Sequence, residues 1–409
     1  MKIFQTIMAG AVGVALLAGT AATAQEVELV HDKGFWSEQL QAVGDAAEEA
    51  TGVRIVETPY ATAEQYKAFI QASIASGSAP DMFTWWTGAT FNEIVESDAV
   101  APLDDIWAEM VARGDYEASA ADLFTVDGHP YAVPLLLARW VMLYNKPLFE
   151  ELGISEPQTW DELMQAAEAL KAAGVEAPIV LGGKDWVHPY FMYIGLASSV
   201  LGPEGVEAVR KGEKSLADPD VVAAVQLLLD LMPYYNQGFE ATDYTTAKAI
   251  FANGQGAMMV AGTADFTGYH QVNPEADLSF IAWPGPEEGK GATTTGFELL
   301  YTASAFTTPE KQAAAAKFIN WLATEEAQQL VMDTISLSIN KNVTESTDPI
   351  REQTVAASAG VDVPVWYAVP ELNGSVIATQ DNHGGLWTGR ISAQEFSDIQ
   401  QAAVVPSGS

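Results

Sequence analysis

Apolar and polar residues alternate with a period of two along Glu26-Val-Glu-Leu-Val30 and again along Val53-Arg-Ile-Val-Glu57, the pattern of half-buried strands. Between them Leu40, Val43, Ala47 and Ala50 recur at helical spacing, with Ser37 placed to cap that helix and Gly52 to stop it. A second helix is predicted from about Thr62 to Ser76, closed by Gly77 and Pro80, and a third strand from Asp81 to Trp86. Strand, helix and strand in alternation predict an α/β fold with parallel-rich sheets flanked by helices.

Further along, Tyr131-Ala-Val-Pro134 and Leu143-Tyr-Asn-Lys-Pro-Leu-Phe-Glu-Glu-Leu-Gly153 read as a strand, a turn and a short helix. Thr159-Trp-Asp-Glu162 and Ser392-Ala-Gln-Glu395 have the spacing of capping boxes, in which Ser or Thr and Glu satisfy each other's backbone donors. Asp218-Pro219 opens an apolar helix through Leu231. Thr308-Pro309-Glu310 sets a cap, a proline in the first turn and an acid beside the helix N-terminus. The stretch Trp283-Pro-Gly-Pro-Glu-Glu-Gly-Lys-Gly291 reads as a surface loop. No tandem repeat is present.

Charge removes several functional classes. With 19 Lys+Arg against 54 Asp+Glu the net charge is −35, so neither a nucleic-acid surface nor an anionic lipid surface is expected. The chain has 0 Cys, which removes disulfides, thiolate metal sites and cysteine nucleophiles. Met1-Lys2, an apolar run from Ile7 to Ala18 and Ala22-Thr-Ala24 have the form of a secretory signal over residues 1–24, giving a soluble mature chain from about Gln25. That run is too short to span a bilayer, which needs about 20 residues, and no membrane insertion of the mature chain is expected. The chain lacks a P-loop, a dinucleotide-binding glycine fingerprint, H-E-x-x-H and G-x-S-x-G, and its five His are far apart. No catalytic residue, cofactor or metal is assigned.

A series of motifs resembles one family, the extracytoplasmic solute-binding proteins of ABC importers for carbohydrates. The series is Asp32-Lys-Gly34, Ala75-Ser-Gly-Ser-Ala-Pro-Asp-Met-Phe83, the block from Tyr131 to Glu162, Phe251-Ala-Asn-Gly-Gln-Gly-Ala-Met-Met259, Thr295-Gly-Phe-Glu298, Glu325-Glu-Ala-Gln328 and Trp366-Tyr-Ala-Val369. The resemblance implies a two-lobed periplasmic-binding-protein fold (type II) with a hinged cleft. By analogy the chain crosses between lobes near Leu136, Leu300 and Asn342. The first lobe is then 25–136 plus 301–342, and the second 137–300 plus 343–409.

A sugar has polar edges and apolar C–H faces, so its site needs flat aromatics beside charged or amide groups, at strand ends and domain interfaces. The resemblance to the maltodextrin-binding group places Lys33 on the sugar and makes Trp85 the aligned aromatic; Trp36 is either a cleft aromatic or a packing residue at the helix start, and Trp86 and the hydroxyl of Thr87 follow. Arg139, by the first crossing, offers a fork for vicinal hydroxyls. In Trp186-Val-His-Pro-Tyr190 that group carries an acid where this chain has His188, a departure that puts a maltodextrin ligand in doubt; Tyr190 keeps the aromatic. After the next strand Thr263 and Asp265 offer polar groups where many relatives stack a tryptophan and this chain has Ala264. Asp265 is alternatively a helix cap. Gly296 and Phe297 lead to Glu298, which either binds hydroxyls or pairs with Arg139, and Trp366 aligns with a stacking tryptophan. Trp387 is expected to pack the C-terminal helix.

The reading is a monomeric periplasmic receptor that captures a mono- or oligosaccharide and delivers it to membrane permease subunits. The alternatives are a receptor for a non-sugar solute such as a polyamine or phosphoester, and a secreted carbohydrate-active enzyme using Glu298 and Asp265.

Overall fold

A computed structural model describes residues 25–60, 63–184, 187–347, 361–365 and 369–405, together with Glu352 and Val355. The expected signal segment 1–24 lies outside the described residues.

The strands run in chain order: β1 (Gln25–His31), β2 (Val53–Pro59), β3 (Met82–Trp85), the hairpin β4 (Thr125–Val126) and β5 (His129–Pro130), then β6 (Val133–Asn145), β7 (Ala177–Val180), β8 (Gly256–Gly262), β9 (Leu278–Ile281), β10 (Ala292–Ala303) and β11 (Val361–Pro364). All but the hairpin form a single sheet in the order β2-β1-β3-β10-β6-β8-β7, with β11 on β10 and β9 on β6. β1 pairs in parallel with β2 and β3, and β7 with β8, as strand–helix–strand alternation predicts. The pairs made by the two long strands inside this order are antiparallel: β10 on β3, β10 on β6, and β6 on β8 and β9. The sheet is therefore more mixed than expected, because strands that enter one half from the other arrive in the opposite direction.

β6 and β10 are the elements shared by both halves. β6 pairs with β10 through Val133–Ala138, then leaves it and pairs with β8 from Trp140 onward. β10 lies against β11 through Thr295, against β6 from Gly296 to Tyr301, and against β3 from Leu300 to Ala303. A third segment joins them where Leu337 bridges Leu137, the Leu137 N–H donating to the Leu337 carbonyl at 2.9 Å.

Leu299 interrupts β10 between Glu298, opposite Leu136, and Leu300, opposite Pro134. It is buried, yet its φ is +54°, a left-handed conformation in which a leucine side chain crowds its own backbone. Opposite it, the Leu135 carbonyl accepts from Nε2 of Gln328 at 2.9 Å. Gln328 is wholly buried and also donates to the Leu322 carbonyl, while its Oε1 accepts from Ser338 Oγ and the Ile339 N–H. The glutamine of the Glu325-Glu-Ala-Gln328 motif is thus a plug that satisfies the crossing strand's backbone and ties the third segment to it.

Local signals account for most helix ends. Both capping boxes form, at Thr159/Glu162 and Ser392/Glu395. Thr308 accepts from the Lys311 N–H ahead of Pro309–Leu322, and Gly52 closes Ser37–Thr51 with φ +72°. Ser37 does not cap its helix, because the 3-10 turn Gly34–Trp36 runs directly into it; the cap position falls on Trp36 and the Ser37 hydroxyl is buried without a partner. Trp283, placed in a surface loop by its Pro/Gly surroundings, is fully buried, and only 286–290 of that stretch are exposed. Its indole N–H donates to the Trp140 carbonyl at 2.8 Å, and the helix Val187–Arg210 approaches it so closely at Gly195 that an added Cβ would lie 1.9 Å from the ring.

Gly195→Ala is expected to destabilise the protein by about 1–3 kcal/mol through overpacking. A lowered urea midpoint at unchanged m-value is the expected result, and an unchanged midpoint would contradict the packing described.

Candidate functional site

The Asp32-Lys33-Gly34 turn is fixed from below by His31. The buried imidazole accepts the Lys33 N–H at Nδ1 (3.1 Å), which leaves Nε2 facing Glu57 at 3.4 Å. The Lys33 ammonium stands 3.7 Å from Asp32 and 5.8 Å from the centre of the Trp36 ring. Burial alone would lower its pKa; the carboxylates of Glu298, Asp32 and Asp265 outweigh burial and hold it above the ordinary value. Glu298 is displaced upward by burial, with Lys33 opposing and Asp265 and Asp32 adding to the rise. One ammonium from the turn after β1, one carboxylate from the crossing strand and one from the element after β8 therefore lie near enough to act on the charge of Lys33.

Asp265 holds the position before the helix Phe266–Val272 without capping it. Its carboxylate accepts from the Tyr244 hydroxyl and lies 3.5 Å from Lys248. Burial, then the Asp265 charge, push the Tyr244 phenol far up, so it stays protonated and donates. Lys248 lies over the rings of Tyr244 (4.7 Å) and Tyr269 (5.2 Å). Neither Tyr244 nor Lys248 was singled out from sequence, although their i, i+4 spacing on the helix Tyr244–Ala252 puts them on one face and was the available signal.

His188 lies against this cluster, edge-on to Tyr244 at 4.3 Å between ring centres. It is buried; Nδ1 accepts the Gly182 N–H at 3.1 Å, and Nε2 has no partner. Burial and then Lys248 push its pKa down to about 3, so the ring is neutral with its proton on Nε2.

The remaining candidates divide. Trp86, half-buried just past the end of β3, lies 5.6 Å from Tyr66 and 5.0 Å from Trp85. Trp85 belongs to the core, its indole donating to the Thr90 carbonyl, and Trp36 is likewise buried. Thr87 is half-buried. Tyr190 is buried against Phe191, which stacks on Trp140 at 4.5 Å. Thr263 is fully buried: its Oγ1 accepts the Arg139 N–H at 3.1 Å and meets Ser336 Oγ at 3.3 Å, tying β8, β6 and the third segment together. Arg139 pairs with Asp362 at 2.9 Å rather than with Glu298. Gly296 makes room for a neighbouring ring, since a Cβ there would stand 3.0 Å from Trp140, and Phe297 packs 5.8 Å from Phe124. Trp186 and Trp366 lie outside the described residues. Trp387 packs at the end of the helix Asn373–Trp387 against Phe239. Among the described residues no group of three or more His, Cys, Asp or Glu is placed to hold a metal ion, and no helix is long and apolar enough to cross a membrane.

Residues 36–329 match the family model of the bacterial extracellular solute-binding protein. The chain belongs to that family. A diacetylchitobiose binding protein of Streptomyces coelicolor is 27% identical over 318 residues, covering 73% of this chain and 71% of that protein. An uncharacterized ABC transporter extracellular-binding protein of Pyrococcus horikoshii is 28% identical over 272 residues, covering 64% and 58%. A multiple sugar-binding protein of Streptococcus mutans is 28% identical over 223 residues, covering 52% of each. The alignments thus span little more than half the length of the last two relatives. A solved chitin oligosaccharide binding protein superposes with a TM-score of 0.78 at 23% identity, over 93% of this chain and 98% of that one. A raffinose complex of another solute-binding protein gives 0.74 at 19% identity, over 92% and 98%. These likenesses fix the fold of this family member as the two-lobed type II arrangement.

The depressed pKa of His188 makes stability depend on pH. Above the unfolded value of 6.5 the neutral ring costs nothing; as pH falls from 6.5 toward about 3 the unfolded chain takes up a proton that the folded one does not. Stability should fall by roughly 1.4 kcal/mol per pH unit on this account. His188→Asn, whose Oδ1 replaces Nδ1 as acceptor, should flatten the dependence between pH 4.5 and 7 in urea titrations. An equal slope in both proteins would refute the assignment.

Proposed function

We propose that this solute-binding protein captures a mono- or oligosaccharide between its lobes in the periplasm and presents it, as a monomer and without chemical change, to the permease subunits of an ABC importer. The lobes in this reading are 25–136 with 301–342, and 137–300 with 343–409. One observation carries the proposal: Lys33 of the first lobe, Glu298 on the crossing strand and Asp265 of the second lobe share one electrostatic field, with the half-buried Trp86 on the first-lobe side. Ammonium and carboxylates suit the hydroxyl edge of a sugar, and an indole suits its C–H face. The printed names of the relatives, which include sugar-binding and diacetylchitobiose binding proteins, support the same class.

Closure would follow from differential affinity. A ligand touching groups from both lobes is bound better when they meet, and only that difference shifts the equilibrium. A phosphate is less suited, because its charge would meet the carboxylates of Glu298, Asp32 and Asp265 that surround Lys33.

Intrinsic tryptophan fluorescence titrated with neutral sugars, uronic acids, polyamines and phosphoesters tests this. A response to at least one neutral sugar is expected. Lys33→Met and Glu298→Gln should each weaken it by about tenfold or more, the loss of a charge-assisted hydrogen bond. A response to a polyamine or phosphoester alone would overturn the sugar assignment, and release of reducing ends from an oligosaccharide would overturn the non-catalytic one.

A further inference from the structure

Bending between the lobes has to be absorbed where a shared strand passes from one lobe's partners to the other's. In the division proposed above, β10 pairs with β11 of the second lobe through Thr295 and with β3 of the first from Leu300 onward. Between those limits Gly296, Phe297 and Glu298 pair with β6, and Leu299 does not. The Leu135 carbonyl across from it is taken by Gln328 instead. Rotation of the backbone at Leu299 therefore costs no strand pair. The same residue is strained. Three non-glycine residues among those described have positive φ: Asp98, Asp127 and Leu299. Asp98 follows the helix Ala89–Glu96 and Asp127 sits in the β4–β5 turn, where a short polar side chain tolerates the left-handed region. Leu299 has no such relief: it is buried in mid-strand at φ +54°, where its Cβ crowds the following carbonyl. Strain and freedom from pairing thus coincide at one residue, next to Glu298 of the charged cluster.

We propose that Leu299 is a conformational switch in the hinge, left-handed when the lobes are together and extended when they part. The inference rests on the receptor reading and deepens it. The lobes are together here, since the first-lobe helix Ala89–Glu96 packs against the second-lobe turn Pro370–Leu372 and Asp265 acts on the charge of Lys33. The left-handed conformation accompanies that state. Opening rotates the segment between Thr295 and Leu300, and Leu299 relaxes into the broad extended region that leucine prefers. The strain is then a cost of closing alone. It biases the empty receptor toward the open form and is offset only by a ligand that touches both lobes, so the empty closed form is kept rare. A permanent left-handed position would need no leucine, because glycine holds that conformation without penalty.

Leu299→Gly and Leu299→Ala in the full chain test this, because both remove the side chain and they differ in the cost of positive φ. Calorimetry and stopped-flow fluorescence are run with glucose, xylose, N-acetylglucosamine and their 1,4-linked trimers. For every sugar that the wild type binds, Leu299→Gly should bind about tenfold more tightly than Leu299→Ala, with most of the difference in the dissociation rate. Without sugar, Leu299→Gly should be no more stable to urea than Leu299→Ala, since the open form carries no strain for glycine to relieve. Equal affinities, or tighter binding by Leu299→Ala, would overturn the switch while the wild type's binding upholds the receptor reading. A Leu299→Gly protein that is the more stable of the pair without sugar would overturn it too, marking the strain as permanent. Should both small side chains prevent folding, Leu299→Val keeps the site largely filled and is disfavoured at positive φ. It should bind about tenfold more weakly than the wild type, and an unchanged affinity would overturn the proposal. If the wild type binds none of these sugars, the receptor reading itself fails and takes the switch with it.

Discussion

Two strands cannot belong to two bodies without fixing how those bodies meet. β6 hydrogen-bonds to β10 along its first half and to β8 and β9 along its second, while β10 runs from β11 to β3. Breaking either strand would strand backbone donors and acceptors in the interior, where each unpaired group costs about 1–3 kcal/mol. The crossing is therefore the least dispensable part of the structure, and motion between lobes must bend it rather than break it. Gln328 and Thr263 serve that end. One satisfies the Leu135 carbonyl opposite the left-handed Leu299, and the other satisfies the Arg139 N–H where β6 leaves β10. A buried leucine held with positive φ stores about 1–3 kcal/mol, and it sits directly beside Glu298.

The charged cluster follows from this geometry. Lys33 comes from a turn on one side, Asp265 from an element on the other, and Glu298 from the strand between them. Burial opposes charge on Lys33 and Glu298, and the neighbouring carboxylates restore it on Lys33. Asp265 has a second support in Tyr244 and Lys248, and neutral His188 packs against the same tyrosine. A neutral ligand hydrogen-bonds to these groups without adding a charge to them.

Much of the fold was legible in the chain. The alternation at Glu26–Val30, the capping boxes at Thr159 and Ser392 and the Thr308-Pro309 start are local signals, and local hydrogen bonds realise them. What failed depended on distant partners. Ser37 looked like a cap until the turn before it became helical. Trp283 looked solvent-facing among prolines and glycines until the Trp140 carbonyl and the Gly195 gap claimed it. At the site, Lys33 and Glu298 were readable as motif residues that converge, and Trp86 as a strand-tip aromatic. Gly296 and Thr263 were read as ligand-facing, whereas Trp140 and the β6 backbone occupy them. Tyr244 and Lys248 carried only a helical spacing, which thousands of surface pairs share. Composition argued against whole classes of partner but could not say which aromatics stay in water.

The claim on which the account depends is that the two halves hinge about β6 and β10 and close on ligand. The chain has 0 Cys, so a pair of spin labels is placed without background. With labels at Glu38 on the first-lobe helix and Glu240 in the second lobe, both exposed, pulsed dipolar spectroscopy reads the separation directly. Saturating oligosaccharide is predicted to shorten and narrow the distance distribution. A distribution unchanged by a sugar that calorimetry shows to be bound would contradict the hinge.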